Sequence, residues 1–248
     1  MEQNQVLEQL ARRKSVRAYT GEPVTPEEKE AILKAAFQAP TAGNQQLYTI
    51  IDVTDQGLKD ALAVSCDNQP FIAKAALVLV FCADCKKWYD AYRDIGLSPR
   101  APGAGDLLLA VDDALIAAQN AVTAAESLGI GSCYIGDIME RCRDHRRLLN
   151  LPDLVFPAAM VVFGRPTRQQ QNRPKPRRAP LEQLVHQNGY RTMDGEELRR
   201  LLDHNRGERP YEEWLTAFCQ RKYQSDFSRE MTRSVAEYLT QYKGVEEK

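Results

Sequence analysis

Three groups of residues in this chain have the types and spacing to do chemistry. The first is Arg13-Lys14-Ser15-Val16-Arg17, which sets two guanidinium groups, an ammonium and a hydroxyl side by side. A guanidinium offers a planar fork of donors and a serine adds another, so the cluster could grip a phosphate. The competing reading is a solvated helix end, where cations favour the C-terminal dipole. The second group is Lys175-Pro176-Arg177-Arg178, whose prolines keep the backbone extended and aim neighbouring cations in fixed directions. Alone it reads as a solvated linker; convergence of both clusters on one small dianion would account for both. The third is Pro40-Thr41-Ala42-Gly43-Asn44-Gln45-Gln46. Its small and amide residues bring donors and acceptors close to a flat, heteroatom-rich ligand, although an ordinary helix-to-strand loop has the same composition.

A fourth pattern, Cys82-Ala83-Asp84-Cys85, closes an apolar run and could be a redox dithiol or half of a zinc site. There is no second C-x-x-C, and His145, His186 and His204 stand at no ligand spacing from it. Packing is the simpler reading, and no metal site is expected. No side chain stands out as a necessary acid or base, so no catalytic residue is assigned. Phosphate-loop and G-x-S-x-G patterns are absent, and Gly129-x-Gly131 closes a helix where a dinucleotide fingerprint would open one.

The elements that must position these groups are legible from periodicity. Val6 and Leu10 suggest a short opening helix. Thr25-Pro26-Glu27-Glu28 is a helix start, with Thr as cap, Pro at the first position and Glu closing a capping box. That helix carries Ile32, Leu33, Ala36 and Phe37 on one face and stops at Pro40. Residues 47–53, 76–83 and 158–164 read as strands buried on both faces. Between the last two lies a long helix over 106–128, with Ala110, Ala114, Ala117, Ala118 and Ala121 permitting close packing. Residues 165–180 read as an extended surface segment, and 190–248 as helical, with Phe227, Met231, Tyr238, Leu239 and Tyr242 on one face of a last helix. The expected architecture is α+β: a central mixed sheet of a few strands flanked by helices. The division expected is a core over 1–189 and a helical C-terminal extension over 190–248, packed on the core or on a partner subunit.

Composition bounds the partners. The 248 residues carry 33 Lys plus Arg against 34 Asp plus Glu, a formal net charge of −1. Such a balance gives no long-range attraction to nucleic acid or anionic membrane. Acidic and amide residues interrupt the apolar stretch from Leu107 to Ile130, which reads as a buried helix and not a membrane span. The six cysteines form no dense framework and no secretory signal precedes them, so free thiols and a cytoplasmic location are expected.

Taken in order, RRKSVRAY, QAPTAGNQQ, DNQPFIAKAALVLVF, DDALIAAQNAVTAAESLGIGSCYIGDI and VVFGRP followed by RPKPRRAPLEQLV resemble the FMN-dependent nitroreductase family, over about residues 8 to 186. The resemblance implies a nitroreductase-like fold and a homodimer with two flavins at its interface. It also implies ping-pong hydride transfer from NADH or NADPH through flavin N5 to a small-molecule oxidant, such as a nitroaromatic or quinone. Carried over by residue, Arg13, Lys14 and Ser15 would hold the FMN phosphate or ribityl chain, and Arg17 the N1 and O2 edge. Asn68 would bond the ring, from a helix leading into the second strand. Ile135 and Gly136 would lie along the ring, and Lys175 and Arg177 would return to the phosphate. Pro40, Thr41, Ala42, Asn44 and Gln46 would reach the partner subunit's flavin. Some members carry a lysine three residues after the asparagine; here that position is Phe71, and Lys74 is not assumed to replace it. Residues 85–105 match no family pattern, and Trp88, Tyr89 and Tyr92 could line a substrate pocket or form a helix packing face. The alternatives are a flavin-binding module or sensor of the same fold without broad turnover, and a thiol redox protein using Cys82 and Cys85.

Overall fold

The computed structural model describes residues 4–244. Two compact units emerge, one of residues 1–173 with 230–248 and one of Pro174–Arg229. These units do not coincide with the 189/190 division expected above.

The first unit is built on a four-stranded sheet in the order β1-β2-β4-β3: β1 Tyr48–Asp52, β2 Leu77–Asp84, β3 Gly131–Ile135 and β4 Val155–Gly164. All three pairings are antiparallel. The parallel character expected of a mixed sheet is confined to an isolated bridge between Ser15 and Ser132. β2 and β4 are buried along their whole length on both faces, as read from sequence. β1 is an edge strand and half-exposed, contrary to that reading.

Side chains of β2 alternate between two cores. Leu77, Leu79, Phe81 and Ala83 point to one side, while Val78, Val80 and Cys82 point to the other. In β4 the alternation changes phase: Phe156 and Ala158 share a face with Val161 and Phe163. A bulge explains it, because Phe81 pairs with Ala159 but Cys82 pairs with Pro157, leaving Ala158 as the extra residue. The bulge also accommodates Pro157, which has no amide to give a central ladder. For that reason β4 begins three residues earlier than the apolar run suggests.

Helix α1 (Gln5–Arg12) is followed by α2 (Pro26–Phe37), whose Thr25–Glu28 capping box forms as expected. Ile32 and Ala36 are buried, whereas Phe37 is exposed. Helices α3 (Gln56–Ser65) and α4 (Pro70–Ala73) link β1 to β2, and α5 (Lys86–Asp94) follows β2. The long helix α6 (Ala104–Ser127) is long and apolar enough to cross a bilayer, yet its alanine face is buried against α2 and the sheet. β3, α7 (Cys142–Leu148) and β4 follow. Residues 165–173 are not wholly extended, because Thr167 caps a short helix α8 (Arg168–Asn172). The chain continues through α9 (Leu181–Leu184), α10 (Gly195–Leu202), α11 (Tyr211–Tyr223) and α12 (Asp226–Leu239). Ser234, Tyr238 and Tyr242 are buried in the first unit, with Tyr238 edge-on to Phe156 at 5.0 Å; Leu239 is exposed.

The N-terminal segment covers the outer edge of β3. Val16 N–H donates to Ser132 O at 2.9 Å, Thr20 N–H to Arg165 O at 3.0 Å and Thr167 N–H to Ala18 O at 3.1 Å. Two glycines permit this approach. A Cβ at Gly131 would meet Val16 Cγ2 at 2.5 Å, and one at Gly164 would meet the Tyr19 ring at 2.6 Å. Gly131→Ala should therefore overpack the contact by about 1–3 kcal/mol. At roughly 2–4 °C per kcal/mol, melting should fall several degrees and partly recover in Gly131→Ala with Val16→Ala. An unchanged melting temperature in Gly131→Ala would contradict this packing.

Candidate functional site

Extended backbone points alternate side chains to opposite sides, and this sorts the basic cluster. Val16 turns inward and is buried over Gly131. Lys14 keeps its partners on α8, its Nζ donating to Gln171 O at 2.6 Å and Arg173 O at 2.5 Å. Arg13, Ser15 and Arg17 share the other side. All three act on the Cys133 thiol of β3: burial pushes it up, while Arg17, Ser15 and Arg13 pull it back. The structure thus brings three candidate residues onto one strip and gives Lys14 a different task, holding that strip to the chain after β4. Nη1 of Arg13 is buried and has no partner among the described residues, an orphan donor that a phosphate oxygen would satisfy.

A cleft of about 490 Å³ lies beside the strip, lined by Arg17, Tyr19, Phe71 and Lys74 among others. The Arg17 guanidinium carbon stands 5.9 Å from the Phe71 ring centroid. Lys74 thus shares a cleft with Arg17, a placement that motif spacing alone did not give. Asn68 is not in a helix. It sits with Asp67 in a tight turn between α3 and α4, both in the left-handed region at φ 51° and 61°. Asn and Asp tolerate that region better than most residues.

This turn is tied to the one that follows β3. Gln69 Nε2 donates to Asp137 Oδ2 at 3.0 Å. His145 Nδ1 lies 2.9 Å from Ile138 O and Nε2 lies 2.8 Å from Ser65 Oγ. The carbonyl requires the proton on Nδ1, so Nε2 accepts from the serine. Burial holds this imidazole below its ordinary range, hence neutral. Ile135 is buried at the end of β3, and Gly136 opens a single 3-10 turn, so its N–H has no acceptor within that turn. Beyond it Glu140 is buried, and burial with Asp137, Asp67 and Glu230 nearby raises its carboxyl to about 7.

The loop Pro40–Gln46 is anchored by a residue that sequence reading passed over. Asp113 of α6 is 3% exposed. Its Oδ1 accepts the Ala42 N–H at 2.9 Å and its Oδ2 the Leu47 N–H at 3.0 Å. Thr41 Oγ1 accepts the Gln46 N–H at 3.2 Å. Between these anchors Gly43, Asn44 and Gln46 adopt positive φ, which leaves the Asn44 and Gln46 side chains exposed. Nothing local in the sequence marks Asp113, because its partners lie about seventy residues away.

Lys175 and Arg177 fall in the Pro174–Arg229 unit, the first half-buried and the second exposed. Cys82 and Cys85 belong to opposite cores of the sheet, and burial pushes both thiols up to about 12. Neither supplies a thiolate near neutral pH, and the two do not face one another as a dithiol. Among the described residues no cluster of three potential metal ligands occurs.

The model of the Nitroreductase family matches residues 10–165. An oxygen-insensitive NADPH nitroreductase of Salmonella typhimurium is 38% identical over 194 residues, 78% of each chain. An FMN reductase [NAD(P)H] of Bacillus subtilis is 32% identical over 237 residues, 95% of this chain and 91% of that one. The crystal structure of the NADPH:FMN oxidoreductase from Vibrio harveyi complexed with NAD+ superposes with a TM-score of 0.79. It is 25% identical, covering 95% of this chain and 98% of the other.

Asp113→Asn would turn an N–H donor toward one of the two loop amides, losing a bond and leaving a buried donor unmet at a cost of about 1–3 kcal/mol. The variant should melt several degrees lower, and the loop's amides should exchange hydrogen faster. Unchanged loop exchange would remove Asp113 from this role.

Proposed function

The chain belongs to the nitroreductase family, and on that premise we propose that it is an NAD(P)H-dependent flavin oxidoreductase binding FMN along the strip Arg13–Arg17. The observation carrying this reading is the buried Arg13 Nη1, without a partner among the described residues, beside Ser15 and Arg17 on one side of an extended segment. The FMN phosphate would meet Arg13 and Ser15, with Lys14 fixing the backbone that presents them. Arg17 and Lys74 would bring positive charge to the pyrimidine edge, where charge accumulates on reduction. Asn68, Ile135 and Gly136 would address the ring, held in place by the Gln69–Asp137 and Ser65–His145–Ile138 ties. Lys175 and Arg177 enter as phosphate ligands on the family resemblance alone. The chemistry that FMN supplies when bound is two-electron exchange between NAD(P)H and an oxidised acceptor, such as a nitroaromatic or quinone.

A homodimer forms part of the proposal. Leu108 and Leu115, and Leu109 and Ile116, recur at seven-residue spacing on the outer side of α6, and all four are exposed. Val6, Leu7 and Leu10 are exposed on α1 as well. An apolar surface of this kind suits a second copy, to whose flavin Pro40, Thr41, Ala42, Asn44 and Gln46 would then reach.

The purified protein should be yellow, release FMN on denaturation and consume NAD(P)H steadily with a quinone, which a mere flavin-binding module would not do. Arg13→Ala combined with Arg177→Ala should lose most of its flavin on gel filtration. A double variant that keeps stoichiometric FMN would refute the phosphate assignment.

A further inference from the structure

Residues 85–105, which match no family pattern in the sequence, supply most of the lining of a cleft of about 240 Å³. Trp88, Tyr89 and Tyr92 of α5 form one side, with Leu47 and Leu109 among the other lining residues. Trp88 and Tyr92 lie one helical turn apart, with ring centroids at 5.8 Å and planes at 43°. At that angle they make two walls of a corner, not a stacked pair.

The charges at this cavity are already paired. Arg100 donates through Nη1 to Asp106 Oδ2 at 2.5 Å and through Nη2 to Oδ1 at 2.9 Å, and Oδ2 also accepts the Gly103 N–H at 2.7 Å. The Arg93 guanidinium lies 5.6 Å from the Tyr89 ring centroid. An ionic guest would compete with these pairs, while a neutral planar one would leave them intact. The volume falls just under the roughly 300–1,000 Å³ of drug-sized sites, which suits one or two fused rings. The Trp88 indole N–H donates to Gln45 O at 2.8 Å. Gln45 sits between Asn44 and Gln46, so the aromatic corner is bonded to the loop assigned above to the partner subunit's flavin.

We propose that this cavity is a site for a neutral aromatic ring and selects the oxidised acceptor by the flat, uncharged part of its structure. The selection of an acceptor rests on the flavin-oxidoreductase reading; the ring site itself does not. Selection would come from area and face-to-ring geometry, without a charged anchor.

Quinoline, neutral above pH 7 and inert to reduction by NAD(P)H, is the probe. Calorimetric titration into the flavin-loaded protein should show saturable binding, and quinoline should compete with a naphthoquinone acceptor. Trp88→Ala with Tyr92→Ala should weaken quinoline about tenfold and raise KM for the quinone in step, with flavin content retained. Trp88→Phe keeps a ring but loses the N–H, and should keep most of the affinity, which separates ring contact from the bond to Gln45. No binding to the unaltered protein, or equal affinity in the double variant, overturns the site. Binding that does not compete with the quinone overturns its part in acceptor selection. A colourless protein without NAD(P)H turnover that still binds quinoline through these rings would instead refute the broader functional reading and leave the ring site standing.

Discussion

The hydrogen bond from the Val16 amide to the Ser132 carbonyl decides which way the basic segment faces. In an extended chain a slip of one residue exchanges the two sides. With Val16 over Gly131, the odd-numbered Arg13, Ser15 and Arg17 share a side, and Lys14 is left to the carbonyls of Gln171 and Arg173. Shifted by one, the strip would present Lys14 and Val16 instead. The missing side chain at Gly131 thus fixes a pattern of charge, and the same segment closes an edge of β3 that would otherwise be open to pairing with another chain.

The same economy governs the rest of the site. Two turns of the proposed site depart from ordinary backbone geometry and are over-determined by their surroundings. Asp67 and Asn68 hold positive φ next to the Gln69–Asp137 bond, and Asn44 and Gln46 hold it between amides fixed by Asp113 and Thr41. Strained backbone persists where neighbours leave it no alternative, and such places collect at binding sites. Buried polar groups supply the restraint: Asp113 ties α6 to loop amides about seventy residues earlier, and His145 ties Ser65, far along the chain, to the nearby Ile138 carbonyl.

What the sequence disclosed follows from the range of the interactions. Local ones were readable, such as the Thr25–Glu28 box that starts α2 and the apolar run of β2. Pro157 concealed the first residues of β4, because a proline in a central strand makes sense only with the bulge opposite Phe81 and Cys82. GSCYI is absent from the strands expected above, since a strand with glycine and serine at its start shows little apolar pattern until its partners are known. The candidate residues Arg13, Ser15 and Arg17 were legible as types, but their common side depends on a register that β3 imposes. The separation of Cys82 from Cys85 follows from strand alternation, yet it needed the end of β2 to be located. Asp113 and Lys74 were hidden, because their meaning lies in partners remote along the chain.

The central claim is that a phosphate, bound by the Arg13–Ser15 side of the strip, is the handle by which the ligand is held. Equilibrium binding of FMN and of riboflavin to the flavin-free protein tests it directly, since the two differ only in that group. Charge-assisted bonds of roughly 1.5–3 kcal/mol each predict a preference for FMN of about a hundredfold, largely abolished by Arg13→Ala. Equal affinity for FMN and riboflavin in the unaltered protein would contradict the account.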